Sequence, residues 1–163
     1  MIAIHFDVND DELRESFFNH LLIDAIADLS EQTTALWGNM SSQNMVEHLI
    51  WGFRMSTGRL NVVCHTPEPL LERVKRLLYD DRETPRLFKN PLLGEIPPQL
   101  QFSGIEEAKT ALREEADHFL KHFRETPGAV HMHPIFGLLG AEEWQRSHFK
   151  HCYHHLLQFG LIN

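Results

Sequence analysis

The stretch IEEAKTALREEADHFLKHF, residues 105–123, predicts the most regular helix of the chain. Its apolar residues fall on one helical stripe: Ile105, Ala108, Leu112, Ala116, Phe119 and Phe123. Acidic residues stand in its first turn and Lys121 and His122 stand near its end, as the helix dipole favours. A helix with one apolar face is stable only when that face packs against other elements.

Further helices are predicted on both sides of this stretch. NDDELRESFFNHLLIDAIADLS predicts a helix from about residue 10 to 28, and SSQNMVEHLIWGFRMSTG predicts one from about 41 to 57, capped by Ser41 or Ser42 and stopped by Gly58. A short helix at about 67–79 precedes a proline-rich segment, residues 81–104, that is expected to be irregular. AEEWQRSHFKHCYHHLLQF predicts the last helix, from about 141 to 158, after a loop over residues 124–140.

Four long amphipathic helices in 163 residues predict one all-α domain, residues 1–163, built as a four-helix bundle. Short links make neighbouring helices antiparallel, whereas the connection of about 50 residues between the second and third long helices is long enough to travel back along the bundle. The expected topology is therefore up-down-down-up, with a long crossover that contains the short extra helix.

Charge and composition exclude several classes of protein. The formal charge of −8, with scattered Lys and Arg, argues against a nucleic-acid binder. No apolar run is long enough for a membrane span, and the start MIAIHFDVNDDELRE turns acidic too early for a signal peptide, so we expect a cytoplasmic protein. Cys64 and Cys152 are expected to be reduced thiols. A phosphate-binding loop and a G-x-S-x-G motif are both absent from the sequence, which weakens nucleotide-binding and esterase interpretations.

Histidine is unusually common: the chain has 12, and half of them lie between residues 131 and 155. In HFKHCYHHLLQFG, residues 148–160, an advance of about 100° per residue places His148, His151 and His155 on one helix face. His154 falls on the outer edge beside Lys150 and is expected to be solvated or next to a site. An i, i+4 pair such as His151 and His155 is also common as an ordinary polar pair, so a metal site needs a third partner.

His48 is the best candidate for that partner, because it is the only histidine of the second long helix and shares a face with Met45, Gly52 and Met55. A lone buried neutral histidine is the competing interpretation. In the expected bundle His48 lies roughly 10 Å from the end that His151 and His155 also approach, so the three imidazoles can meet.

Three neutral imidazoles leave one or two coordination positions open on Zn²⁺, Ni²⁺ or Fe²⁺, which is typical of a catalytic site. A water bound there becomes acidic enough to act as a nucleophile near neutral pH, and a substrate thiol can bind as thiolate. The sequence therefore predicts a divalent-metal site of unknown metal identity at His48, His151 and His155.

Two stretches, WGNMSSQNMVEHLIWGFRMSTG and HPIFGLLGAEEWQRSHFKHCYHHLLQFG, resemble the DinB/YfiT-like superfamily, in particular a branch of uncharacterised bacterial proteins. The resemblance covers most of the chain from about Trp37 onward. It implies an up-down-down-up four-helix bundle with a three-histidine metal site that falls on His48, His151 and His155. It also implies thiol transferases or isomerases that use low-molecular-weight thiols among the relatives, together with many members of no known activity.

Four other residues are candidates for contacts beside the metal. His148 is a candidate fourth ligand or neighbour, although packing beneath the site is the favoured interpretation. Asn44 and Gln158 can orient a bound water or ligand, or simply cap their helices. Cys152 is a candidate extra ligand or redox-sensitive thiol, with a small buried apolar residue as the safer interpretation.

Two further features are interpreted as structural. Glu47 points about 100° away from its neighbour His48 and is not expected to act as the general base. The sequence HMHP, residues 131–134, is expected to lie at the opposite end of the bundle, in a structural or surface role.

Three functional hypotheses follow. The first is a metal-dependent thiol transferase or hydrolase acting on a small molecule or low-molecular-weight thiol. The second is a metal-binding or small-molecule-binding bundle without catalysis, and the third is a metal-free bundle whose histidines hydrogen-bond to carboxylates or backbone. An exposed apolar helix face can also support a homodimer.

Overall fold

The computed structural model describes residues 1–86 and 98–163, and its first helix is interrupted in the middle. Helix α1, Asp11–Ser16, begins where the Asp10 carboxylate accepts a hydrogen bond from the Leu13 N–H. The chain continues through a π-helical segment, Phe17–Leu21, into α2, Leu22–Ile26. The expected single helix is thus regular only at its two ends, because the wider π turn separates them.

Helix α3, Ser42–Ser56, carries the first candidate ligand and begins where the sequence predicts. The Ser41 hydroxyl accepts a hydrogen bond from the Asn44 N–H at 3.1 Å, which caps the helix. Its end is followed by Gly58, whose φ of 72° places it in the left-handed region that glycine tolerates best. The position of His48 along the axis is fixed by these two ends.

The region predicted as a short helix at about 67–79 contains three short helical pieces. A 3₁₀ turn, Glu68–Leu70, leads into α4, Leu71–Lys75, which leads into a second 3₁₀ turn, Arg76–Leu78. Of the proline-rich segment that was expected to be irregular, residues 87–97 lie outside the described residues.

The C-terminal half consists of two long helices joined by a β-hairpin. Helix α5, Ile105–Glu125, is followed by strand β1, His131–His133, and strand β2, Gly137–Leu139, and then by α6, Ala141–Gln158. The strands pair antiparallel with Met132 opposite Leu138. Gly137, with φ of 74°, closes the turn between them.

The prediction of an all-α, up-down-down-up four-helix bundle is therefore wrong. The protein combines helices with a two-stranded antiparallel sheet, and the sheet lies in the stretch that was expected to be a loop. Each strand has three residues, which is too short for the alternation of apolar and polar residues that identifies a strand in a sequence.

The hydrophobic core lies between α3, α5 and α6. Phe53 of α3 packs against Phe119 of α5 with ring centroids 5.6 Å apart, and Phe18 contacts both rings edge-on. All three phenylalanines are buried. These contacts hold the two helices that face α6 in place.

The N-terminal segment fixes α6 from its other side. Arg146 of α6 and Arg14 of α1 are both buried, and both donate to the Val8 carbonyl, at 3.1 and 2.5 Å. The Tyr153 hydroxyl donates to the Ile4 carbonyl at 2.9 Å. Buried charges are stable only when hydrogen-bonded, so these contacts strongly constrain the position of the helix that carries His151 and His155.

No helix within residues 1–86 or 98–163 combines the length and the apolar character needed to cross a membrane.

Candidate metal centre

The structure brings His48 of α3 together with His151 and His155 of α6. The side chains offer nitrogen atoms that all lie within 4.8 Å of one another. The His48 and His151 Nε2 atoms are 2.7 Å apart, and the ring centroids of His151 and His155, one turn apart on α6, are separated by 4.9 Å. These are the three histidines that helical spacing selects from the sequence.

Gly52 allows α6 to approach α3 beside this group. It lies one turn after His48, and a Cβ built on it would stand 3.6 Å from the His148 Cε1 and 3.6 Å from the His151 Nδ1. A side chain longer than alanine would therefore push against both imidazoles. The glycine thus keeps the space into which the α6 rings fit.

Burial keeps the three imidazoles neutral at pH 7. Desolvation, reinforced by neighbouring histidines, lowers the pKa of His48 to about 4 and that of His155 to about 3. The same causes lower the pKa of His151 well below its ordinary value. A neutral imidazole has one nitrogen with a free lone pair, which is the form that binds metal ions.

Hydrogen bonds fix the orientation of His155. The Gln158 amide donates from Nε2 to the Trp37 carbonyl at 2.9 Å, so its Oε1 faces the His155 Nδ1 at 2.7 Å. Since Oε1 can only accept, His155 must carry its proton on Nδ1. The His155 Nε2 therefore holds the lone pair. Gln158, which the sequence analysis names as a residue that can orient a ligand, is thus hydrogen-bonded to the candidate metal ligand His155.

The donor set fits a divalent ion. Zinc–imidazole bonds of about 2.0–2.1 Å place two ligand nitrogens at most roughly 4.2 Å apart, so small ring rotations bring the group to that spacing. The buried His48 Nδ1 has no hydrogen-bond partner among the described residues, which leaves Nε2 as its nitrogen directed at the group. Three nitrogen donors suit Zn²⁺, Ni²⁺ and Fe²⁺.

His148 has a packing role and does not join the group. Its ring stacks on Phe53 at 4.3 Å and on Trp144 at 5.2 Å, and Phe119 meets it edge-on at 4.9 Å. Desolvation, with a smaller contribution from His133, lowers its pKa to about 3. This neutral ring lies in an aromatic cage beneath the three histidines.

Asn44 and Cys152 also lie apart from the group. The Asn44 side chain accepts from the Ser41 hydroxyl at 2.7 Å and donates to the Pro98 carbonyl at 3.4 Å, so it belongs to the cap of α3. Cys152 is fully buried, and burial raises the pKa of its thiol, which therefore stays protonated.

Glu47 is occupied by backbone donors. Its carboxylate accepts from the Gln101 N–H at 2.7 Å, from the Phe102 N–H at 3.2 Å and from the Gln43 amide at 2.9 Å. It thereby ties the chain that enters α5 to α3, in keeping with the expectation that it is not a general base.

A cavity of about 600 Å³ adjoins the three histidines, and all three line it. The cavity continues along α6 to Ser147 and Trp144 and is closed on one side by α4 and residues 80–85. Pockets of this volume accommodate small organic molecules.

His133 lines the same cavity, although the HMHP motif was expected at the opposite end of the molecule. Its Nδ1 accepts from the backbone N–H groups of Ile135 and Phe136, at 3.0 and 3.2 Å. The proton is therefore on Nε2, which donates to the Ser147 hydroxyl at 3.2 Å. His133 in this tautomer cannot accept the hydroxyl proton, so the pair is not a nucleophilic dyad.

His131, the other histidine of this motif, lies near the end of α5. Its Nε2 is 2.9 Å from the His122 Nε2, and Gly58 lies against its ring. These are packing contacts, and the structural or surface role expected of the motif stays a prediction.

His154 also lines the cavity, whereas helical geometry placed it on the solvated edge. Its Nδ1–H donates to the Thr84 carbonyl at 3.2 Å. Lys150, one turn earlier on α6, donates to the carbonyls of Asp80 and Arg82. Residues 80–84 thus cover the outer side of α6, because the carbonyl groups of every second residue accept hydrogen bonds from Lys150 and His154.

A family model described as "Protein of unknown function (DUF1569)" matches residues 18–160, which include all three histidines. This match confirms the expectation of a family of uncharacterised proteins. No curated protein and no solved structure matches the chain.

Proposed function

The chain belongs to the DUF1569 family of proteins of unknown function, and we propose that it is a metal-dependent enzyme whose His48, His151 and His155 hold one divalent metal ion. The observation that carries the proposal is the convergence of three neutral imidazoles from two helices, with nitrogen atoms within 4.8 Å of one another; His155 is buried, and His48 and His151 are half-buried. Bringing three such groups together without a shared partner costs desolvation energy that a bound ion offsets.

The hydrogen bonds of the three histidines argue against a metal-free structural role. That hypothesis expects bonds from these rings to carboxylates or to backbone. Within the described parts of the chain, His48 and His151 contact each other, and His155 contacts the Gln158 amide. These contacts are compatible with three Nε2 lone pairs directed at one ion.

The cavity supports catalysis over simple metal storage. A closed structural site has four protein ligands, whereas three protein ligands leave room for water or substrate. Within the described residues, neither His148 nor Cys152 joins the group, and the His148 ring is stacked on Phe53. A non-catalytic metal-binding or small-molecule-binding protein remains the alternative.

His48, His151 and His155 would hold a divalent ion, and its Lewis acidity would lower the pKa of a coordinated water or thiol toward neutrality. Of the chain's own residues, Gln158 holds the His155 lone pair in place, and the aromatic rings around His148 fill the space beneath the three histidines. This chemistry supports a thiol transferase-like or hydrolase-like reaction on a small molecule.

The proposal includes kinship with the DinB/YfiT-like superfamily. The shared feature is the ligand arrangement implied by the resemblance, with one histidine from an earlier helix and an i, i+4 pair on the last helix. The β1–β2 hairpin is a departure from an all-helical superfamily, so the kinship rests on the site and on the sequence motifs.

Elemental analysis of protein purified without an affinity tag tests the metal site. Wild type is expected to carry about one Zn, Ni or Fe per chain, and His151→Ala is expected to carry far less. His20→Ala is the matched control, because His20 is exposed on the π-helical segment. Equal metal content in all three proteins, or far less than one ion in wild type, would refute the site.

Cobalt substitution tests the open coordination position. Adding β-mercaptoethanol to the Co²⁺-loaded protein is expected to change the visible absorption spectrum, because a thiolate enters the coordination sphere. A protein that binds Co²⁺ but shows no spectral response to thiol or azide would favour the non-catalytic alternative.

A further inference from the structure

The cavity beside the three histidines is elongated. Its lining follows α6 from Trp144 to His155, which corresponds to roughly 16 Å at about 1.5 Å per residue. Its volume of about 600 Å³ is that of a pocket for a drug-sized molecule, well above what a small thiol needs. The occupant must therefore have a body that extends away from the histidines.

The walls along this body are apolar. They are formed by aromatic and aliphatic side chains of α3, of α4 and the 3₁₀ turn that follows it, and of the β1–β2 turn: Trp51, Met55, Val74, Leu77, Ile135 and Phe136. Apolar area removed from water stabilises a complex by about 25 cal/mol per Å², so these walls favour a hydrophobic ligand.

Cations on the cavity wall are already paired. Arg82 donates from Nε to both Asp80 carboxylate oxygens, at 2.8 and 2.9 Å. Lys150 donates to two backbone carbonyls. Glu83, on the same wall, adds a negative charge. Among the lining residues that the structure describes, an anionic group on the body of a ligand would thus lose its hydration without gaining an unpaired cation, which is unfavourable.

The opposite requirement holds at the histidine end. Three neutral imidazoles do not compensate the charge of a divalent ion, so an anionic donor such as a thiolate, carboxylate or hydroxamate is favoured there. The two ends of the cavity therefore select different chemistry.

We propose that the cavity binds a small molecule with one metal-coordinating head group at the three histidines and an uncharged, apolar body along α3, α4 and the β1–β2 turn. The head-group half of this inference rests on the proposed metal site. The body half depends only on the cavity and can be tested without metal.

The first experiment uses the full chain without metal and the uncharged fluorophore Nile red. Wild type is expected to bind Nile red saturably, and Val74→Trp, which fills the cavity from α4, is expected to bind at least about tenfold more weakly. Leu70→Trp is the matched control, because Leu70 is 46% exposed in the adjoining 3₁₀ turn and does not line the cavity.

A second pair of variants guards against misfolding of Val74→Trp. Leu77 lines the cavity and is 47% exposed, so Leu77→Glu adds a charge at the wall without entering the core, and Leu70→Glu is its control. Leu77→Glu is expected to weaken Nile red binding, and Leu70→Glu is expected to leave it unchanged. Absence of wild-type binding, or equal binding by wall and control variants, would overturn the proposal.

The second experiment uses zinc-loaded protein and three hydroxamates that share one head group. By titration calorimetry, octanohydroxamate is expected to bind at least about tenfold more tightly than acetohydroxamate, because its tail occupies the apolar cavity. Suberic acid monohydroxamate, which ends in a carboxylate, is expected to lose most of that gain.

The outcomes separate this inference from the proposed function. Zinc binding without preference for the uncharged long tail would overturn the inference and leave the metal site standing. A protein that binds none of Zn²⁺, Ni²⁺ and Fe²⁺ would overturn the proposed function and the head-group half together, while Nile red binding still decides the body half.

Discussion

His133 gives a quantitative test of the structure through the acid stability of the protein. Its Nδ1 accepts two backbone N–H bonds, and its ring packs on Phe136 at 4.7 Å and on Trp144 at 5.0 Å. Desolvation lowers its pKa to about 3. A protonated ring would lose both accepted bonds, so folding requires the neutral form.

The size of the effect follows from the pKa difference between the folded and unfolded states. In the unfolded chain the ordinary pKa is 6.5, so between this value and about 3 the unfolded state binds more protons than the folded state. The free energy of unfolding therefore falls as the pH drops through this range. Each pH unit below 6.5 lowers the free energy of unfolding by about 1.36 kcal/mol, so at about pH 5 the loss from His133 alone is about 2 kcal/mol.

Urea unfolding of wild type and His133→Asn at about pH 7.5 and about pH 5 measures this loss. Asparagine keeps a side-chain oxygen that can accept the two backbone bonds but cannot be protonated in this range. The decrease in unfolding free energy between the two pH values is expected to be smaller in the variant by about 2 kcal/mol. His20→Asn, at an exposed position, is expected to keep the wild-type decrease. A variant whose decrease equals that of wild type would refute the neutral, doubly accepting state of His133.

Two further substitutions test the orientation of a ligand and the helix end near Gly58. Gln158→Leu removes the acceptor for the His155 Nδ1–H and is expected to weaken zinc binding about 10- to 100-fold. Competition with a chromophoric chelator measures this affinity. An unchanged zinc affinity would exclude the role of Gln158 in orienting His155. Gly58→Ala places a Cβ 2.7 Å from the His131 ring at a φ of 72° and is expected to lower the unfolding free energy by about 1–3 kcal/mol in urea. Gly128→Ala, whose Cβ meets nothing within 4 Å, is its control, and similar losses in both would contradict the steric argument.

The sequence was most informative where one helix repeats a spacing over several turns. Helix α6 has the bounds that its apolar pattern predicts, and α3 begins one residue after the Ser41 cap. Because an i, i+4 pair on a helix must share a face, the spacing placed His151 and His155 together, with His148 on the same face. His48 followed because it was the only histidine of the second long helix.

Features that depend on contacts between distant segments were missed. The β1–β2 hairpin has strands of three residues, so its pairing leaves no periodic signal, and the extension of the cavity from the three histidines to His133 was not predicted. His154 was expected to be solvated or next to a site, because a helical wheel describes the helix alone; residues 80–84 cover the outer side of α6 at this point. The cue to this covering segment in the sequence was the i, i+4 spacing of Lys150 and His154. Such a pair offers two donors, but it does not identify backbone carbonyls as their acceptors.

Residues 80–84 are attached to α6 through their backbone carbonyls, whereas side chains of the same residues line the cavity. Lys150 and His154 donate hydrogen bonds to backbone carbonyls, and every residue type has this carbonyl group. Side chains along this stretch can therefore change by point substitution while the anchor and the candidate metal ligands on α6 stay fixed. A library randomised at Arg82, Glu83 and Thr84, which line the cavity, tests whether this segment sets the choice of ligand.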